Sequence, residues 1–444
     1  MSQKVIMESL KNLIATSLSQ FFKVLTGLLV IKLIALYQGP SGLGLLGNFI
    51  SLVSLYTLMA GGGIISGVIK YSSDFRLDKG KLQELRNNAI GYSLTGSFLV
   101  VLVSILTAFW WLHEILRESL SIWTIVILLL SQVIVGIANV VVGFLVGTGQ
   151  TSRFAAISVV GYVVSAPIIF VLIKAYGING SAIGVLVSVI GVSIIQVLAG
   201  IKYGFFRHLR VSLKRENVKM LAKYSIMLLV SAFLFPASEI VIRTKIIDSI
   251  GVDAAGIWQG VYRMGAVFLS FGSLFLSYHF MPKLSRATES TQVTKLVNEN
   301  LCIVLCCMSL VLAGVTVFKK DLISLVLSKE FSEASEYIVL QLVGDLFRVG
   351  CFVFGFITVA RAATWLYVGS EILQVFFWLG FTHLSFKMGL GLKGVFISYL
   401  TTYIVFFLLC SLGYRFYLIY LKKQILPGLK SERIPASEIT DNKV

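Results

Sequence analysis

Apolar segments of about 20 residues or more recur along the whole chain, and nothing else in the sequence restricts the fold as severely. The bilayer core holds no water, so a segment crossing it must satisfy its backbone amides internally, as a helix or in a closed barrel. The residue-by-residue alternation of a barrel is absent. The reading is an all-α polytopic membrane protein. Apolar residues make up 57% of the 444 and charged residues only 13%, against about 25% charged in a soluble domain. About twelve spans are expected, approximately 10–37, 43–70, 87–112, 120–147, 153–174, 180–201, 221–245, 254–282, 298–318, 336–360, 362–386 and 394–421.

The formal charge of +17 invites a nucleic-acid reading, which the distribution of that charge rejects. Most basic residues fall in alternate short connections, the N-terminal segment, 70–86, 202–223, 283–298 and the tail, and few in the connections between. That is the positive-inside pattern, and it places both termini in the cytoplasm. The first span is too long for a cleavable leader and shows no small-residue cleavage site, so it is expected to stay attached. The five cysteines, Cys302, Cys306, Cys307, Cys351 and Cys410, read as small buried hydrophobes rather than metal ligands or a disulfide framework. His113, His208, His279 and His383 share no metal-type spacing. No phosphate-cradling loop is present. A transporter with no cofactor and no metal is expected, not an enzyme.

The basic stretch from Lys202 to Lys223 divides the spans into two sets of six: lobes 1–205 and 206–421, followed by a cytoplasmic tail, 422–444. A shift of about 212 positions lays Gly39 on Gly251, Gly44 on Gly256, Asn88 on Asn300, Gly143 on Gly355 and Gly177 on Gly389. Six spans per copy is an even number, so the copies enter the membrane the same way round. Parallel repeats of this kind enclose a substrate site between the lobes.

Charged groups inside the spans carry the functional signal, because each costs at least about 2.5–3.5 kcal/mol to insert. Five are basic (Lys23, Lys32, Arg243, Arg263 and Arg348) and three acidic (Glu239, Asp345 and Glu371). The positive excess points to an anionic cargo in a central cationic cavity. Lys23 is too deep to snorkel easily. Lys32, nine residues on and roughly opposite around the helix, can serve the site or reach the interface. Glu239 and Arg243 form an i,i+4 pair just after Pro236. Arg263 has no acidic neighbour one turn away on its own helix and needs a partner elsewhere, or a ligand. Asp345 and Arg348 form an i,i+3 pair one turn beyond Gln341. Glu371 stands alone and deep, for charge balance or ion coupling. Asn48, Gln132, Asn139 and Gln259 can line a cavity for sugars or join helices; sequence leaves both open.

The segments KLIALYQGPSGLGLLGNF, AGGGIISGVIKY, GIWQGVYR, MPKLSR, QLVGDLFRVG and SYLTTYIVFF resemble the Wzx flippases of Gram-negative bacteria. These carry O-antigen or enterobacterial-common-antigen (lipid III) units and belong to the multidrug/oligosaccharidyl-lipid/polysaccharide exporter (MOP) superfamily. The resemblance runs over 1–421. It implies two six-helix lobes around a central cavity, in the bacterial inner membrane. It also implies a cargo of undecaprenyl pyrophosphate bearing an oligosaccharide, moved from the cytoplasmic to the periplasmic leaflet by alternating access. A polymerase and a chain-length regulator are the partners expected alongside. On this reading Lys23, Lys32, Arg243, Arg263 and Arg348 are candidates for the pyrophosphate, Asp345, Glu371 and Glu239 for charge balance or ion coupling, and Asn48, Asn139, Gln259 and Gln341 for the polar cavity wall. A lipid II flippase, or an ion-coupled drug or cation exporter of the same superfamily, is the alternative.

Overall fold

The computed structural model describes residues 3–108, 111–116, 120–287, 289–361 and 363–431. Its helices are α1 (Gln3–Met59), α2 (Ile65–Asp74), α3 (Lys79–Leu106), α4 (Ile122–Gly147), α5 (Thr151–Lys202), α6 (Arg215–Ser249), α7 (Val252–Phe275), α8 (Met281–Arg286), α9 (Ser290–Val317), α10 (Lys319–Val326), α11 (Ala334–Ala360), α12 (Thr364–Lys387) and α13 (Gly391–Ser431). No strand occurs among the described residues. Among the described residues seven helices are long and apolar enough to cross a membrane. The chain is a multi-pass membrane protein.

Two of those seven, Ala15–Gly62 and Thr151–Lys202, run to 48 and 52 residues, far beyond the roughly 20 that one crossing needs. Each is broken near its middle and supplies two crossings. In α1 the break is Gly39, at φ 65° and ψ −166°, followed by Pro40; in α5 it is Tyr176–Gly177, with Gly177 at φ 57°. A left-handed backbone is cheap only for glycine, so these residues fix where the chain turns back. The helices α7 and α12, of 24 residues each, are long enough to cross but are not among the seven. They carry Arg263 and Glu371, and α6, of 35 residues, carries Glu239 and Arg243.

The helices form two lobes. In the first half α1 packs most extensively on α5, and α4 on α5; in the second, α11 packs on α13 and α7. Between halves the main contact is α1 with α7 and α6. The connector at 203–214 is tied to α3: Asn88 Oδ1 accepts from the Lys214 amide at 2.6 Å, the Asn87 carbonyl from the Ser212 amide at 3.3 Å, and Lys214 pairs with Glu84 at 2.8 Å.

One expectation needs correction. Cys302, Cys306 and Cys307 are exposed, on the outward face of α9; Cys351 alone is buried and Cys410 is intermediate. A thiol is apolar enough to face lipid as well as a protein core. The segment read as a tail from 422 begins as a continuation of α13, which stays helical to Ser431. Residues 432–444 lie outside the described residues.

Candidate functional site

At the end of the molecule where Gly39 and Gly251 turn the chain, the two halves are pressed together. Ser41 Oγ donates to Asp253 Oδ1 at 2.5 Å, across 212 residues. Beside it, a Cβ added at Gly44 would overlap the Val252 carbonyl, and one at Gly256 would overlap the Pro40 carbonyl. Two glycines offset by the repeat length thus let the backbones of α1 and α7 touch. Lys32 belongs to the same closure: its Nζ donates to the carbonyls of Ser324 and Leu327, at 3.1 and 2.6 Å. These carbonyls end α10, where a cation meets the negative pole of the helix.

The next layer inward is Arg243, whose side chain is fully buried (0% exposed). Its Nη1 donates to Asn48 Oδ1 at 2.8 Å and its Nη2 to Ser51 Oγ at 3.2 Å and Gln259 Oε1 at 2.5 Å. The guanidinium lies over the Trp258 ring, 5.1 Å from its centroid, and against Gly47, where any Cβ would overlap it. Its i,i+4 neighbour Glu239 is 3.9 Å away, too long for a charge-assisted hydrogen bond of about 2.7–2.9 Å. Glu239 Oε2 instead accepts from Ser51 Oγ at 2.7 Å and lies 3.6 Å from Arg263 Nη2.

Arg263 is the least satisfied of the cations. Its Nε and Nη2 are buried without a hydrogen bond, yet the side chain as a whole remains 23% exposed. By helical rise it lies about 16 Å from the start of α7, near mid-membrane. Arg348 sits in an aromatic cage, with the rings of Phe235, Tyr403 and Phe352 at 4.8, 5.0 and 6.0 Å. Its Nη1 donates to the Tyr399 hydroxyl at 3.1 Å, and that hydroxyl donates to Asp345 Oδ1 at 2.5 Å. The i,i+3 pair expected from sequence is therefore joined through a tyrosine 51 positions beyond Arg348. Gln341 Nε2 also donates to Asp345, at 3.2 Å. Stacked Trp258, Tyr262 and Trp378, with Tyr399 edge-on, fill the space between these groups.

Lys23, about 24 Å from the Gly39 break by helical rise, has an exposed side chain. Glu371 lines a separate, mainly apolar cavity of about 710 Å³ between α11, α12 and α13, with Gln374, Tyr367 and Trp365. Asn139 joins helices, its Nδ2 3.4 Å from the Ala60 carbonyl, and Gln132 Nε2 bonds back to Leu128. Sequence reasoning missed Ser51, Tyr399 and Tyr403. Serine and tyrosine carry no charge cost in a span, so nothing set them apart. Among the described residues no group of three or more His, Cys, Asp or Glu could hold a metal. The structure thus gathers Arg243, Arg263, Glu239, Asn48 and Gln259 into one cluster and Arg348, Asp345 and Gln341 into an adjoining one. It leaves Lys32 and Asn139 apart and sets Glu371 beside the second cluster, where its cavity neighbour Gln374 accepts from the hydroxyl of Tyr403, the ring that flanks Arg348.

No family model matches the chain. Its backbone superposes on an inward-facing MATE-family multidrug transporter of the MOP superfamily with a TM-score of 0.75, at 17% identity, over 93% of this chain and 99% of that one. An outward-facing MATE transporter gives 0.68, at 17% identity over 94% and 96%. A MOP transporter from Pyrococcus furiosus, described as having a binding pocket of reverse polarity, also gives 0.68, at 16% identity over 94% and 96%. The chain has the fold of these MOP-superfamily transporters. In sequence it is similar to the lipid III flippases of Escherichia coli K12 and Shigella flexneri, each 29% identical over 397 residues, covering 89% of this chain and 95% of theirs.

Proposed function

We propose that the protein flips an undecaprenyl-pyrophosphate-linked oligosaccharide, of O-antigen or enterobacterial-common-antigen type, from the cytoplasmic to the periplasmic leaflet of a bacterial inner membrane. The observation that carries this reading is Arg263, a guanidinium at membrane depth with two buried nitrogens lacking a hydrogen bond. A pyrophosphate diester brings about two negative charges and several acceptor oxygens, which suit such a group. Arg348 and Lys23 add positive charge nearer the opposite end. Across both clusters, Arg243, Arg263 and Arg348 face Glu239 and Asp345, with Glu371 within electrostatic reach of Arg348, so that with Lys23 the cations outnumber the carboxylates four to three. Arg243 and Lys32 are held by the protein's own oxygens and serve closure of the Gly39 end, taken here as periplasmic with both termini cytoplasmic.

Alternating access of the two lobes would expose the site to each leaflet in turn. The closed Gly39 end supports reading this conformation as the loading state. The sugar would occupy the cavity while the prenyl tail stays in lipid. A polymerase working on the outer leaflet would receive the product. One observation favours a second reading, export of an amphiphilic cation: the apolar, carboxylate-bearing cavity at Glu371. Binding in lipid nanodiscs separates the two. A short isoprenoid pyrophosphate should bind wild type and lose at least tenfold in affinity in Arg263→Ala. Tight binding of tetraphenylphosphonium, abolished by Glu371→Gln, with no pyrophosphate binding, would replace the flippase reading by the exporter.

A further inference from the structure

Glu239 occupies a position that pyrophosphate binding alone does not explain. One carboxylate oxygen, Oε2, is shared by three groups: the Ser51 hydroxyl on α1, Arg243 on its own helix and Arg263 on α7. Ser51 and Asn48 belong to the first half of the chain, and the other three residues to the second. Arg243 crosses between them. Its bonds to Asn48 and Ser51 form the larger part of a polar tie between the halves at this level, with Ser51–Glu239 at 2.7 Å and Asn48–Thr244 at 3.3 Å beside them, just inside the glycine contact of Gly44 and Gly256.

We propose that Glu239 is a positioning residue that couples an anion on Arg263 to release of the contact between the halves; this rests on the anionic-cargo reading above. While Arg263 is free, it and Ser51 hold Glu239 away from Arg243, which is left to bond the neutral oxygens of Asn48, Ser51 and Gln259. An anion on Arg263 removes one of the two cations facing Glu239. The carboxylate's remaining cation is then Arg243, one helical turn away. A buried carboxylate stranded without a cation is costly, so the pair closes up. Shortening the 3.9 Å separation draws the guanidinium back toward α6, off Asn48 and Ser51. The closed end then keeps its outer fastenings, Ser41–Asp253 and Lys32, and the single hydrogen bonds Ser51–Glu239 and Asn48–Thr244, but loses the guanidinium that held both α1 side chains at once.

The device answers to anion and not to cation, because only an anion competes with Glu239 for Arg263. Linkage requires the reciprocal effect: opening the Gly39 end must change anion affinity by the same factor. Removing the carboxylate frees Arg263 from its internal competitor. Glu239→Gln therefore binds pyrophosphate at least as tightly as wild type while losing the conformational response. A purely structural loss would weaken both.

The test is a distance measurement between spin labels at Tyr37 and Ile250, exposed residues flanking the closed contact. The background has Cys302, Cys306 and Cys307 replaced by serine, in nanodiscs, with farnesyl pyrophosphate as the probe and its affinity measured separately on the same samples. Wild type should shift toward longer distances as the probe saturates. Glu239→Gln should bind without shifting, and Glu239→Asp should recover part of the shift. Ser51→Ala, which removes one hand of the tie at no change in charge, should lengthen the distance before any probe is added. A Glu239→Gln protein that binds and shifts as far as wild type overturns the coupling and leaves the cargo reading standing. Wild type that fails to bind the probe overturns the cargo reading, and the coupling with it.

Discussion

Arg263, partly exposed, and Arg348, buried, both sit within the helices, but they stand differently. Arg348 has a hydroxyl, a carboxylate behind that hydroxyl and aromatic rings around it; Arg263 has one carboxylate at 3.6 Å. The account therefore predicts opposite phenotypes. Arg263→Ala should insert and unfold thermally much as wild type does, yet lose at least about tenfold in flipping rate, as loss of a charge-assisted contact worth about 1.4 kcal/mol or more requires. Tyr399→Phe removes the hydroxyl that links Arg348 to Asp345 and leaves both charges short of a partner. It should cost about 1.5–3 kcal/mol, read as a lower unfolding midpoint in detergent. If Tyr399→Phe were as stable as wild type, the bridge would carry no weight.

At the scale of elements, the closed end depends on two glycines and one capped helix. Gly256→Val would drive a side chain into the Pro40 carbonyl and should cost about 1–3 kcal/mol of the closed form, seen as a longer Tyr37–Ile250 distance. An unchanged distance would mean that this contact does not hold the halves together. Lys32→Met removes the cation from the end of α10 and should cost about 0.3–1 kcal/mol, with α10 exchanging its amide hydrogens faster while α11 does not change.

The spans and their repeat were legible in the sequence because both rest on backbone requirements that leave marks in one dimension. Four of the aligned glycines, Gly39, Gly177, Gly251 and Gly389, have positive φ. Asn88 and Asn300 each donate to the carbonyl four residues back, both at 2.8 Å. Gly143 packs tightly against Val68, while its counterpart Gly355 has open space, so that match has no shared packing reason. The site was legible only as a set of charges. Their partners were hidden: Lys32 bonds residues 292 and 295 positions away, and Arg243 bonds Asn48 across 195. Local spacing suggested Glu239–Arg243 and Asp345–Arg348 pairs; the first is present at 3.9 Å with a serine bonded to both charges, and the second is joined through a tyrosine.

For the whole molecule, the sign of the cavity and the direction of transport are linked. Carrying about two negative charges outward from a negative interior is favoured by roughly 4–5 kcal/mol per 100 mV. Flipping should accordingly quicken when a potential negative on the cytoplasmic side is imposed and slow when it is reversed. A cation cargo would show the opposite dependence. The measurement that tests the central claim most directly is leaflet-to-leaflet movement of an undecaprenyl-pyrophosphate oligosaccharide in proteoliposomes under such a potential, wild type against Arg263→Ala. The account predicts outward flipping by wild type and little above the protein-free rate in the variant. Equal flipping by both would reduce Arg263 to a structural residue and contradict the account.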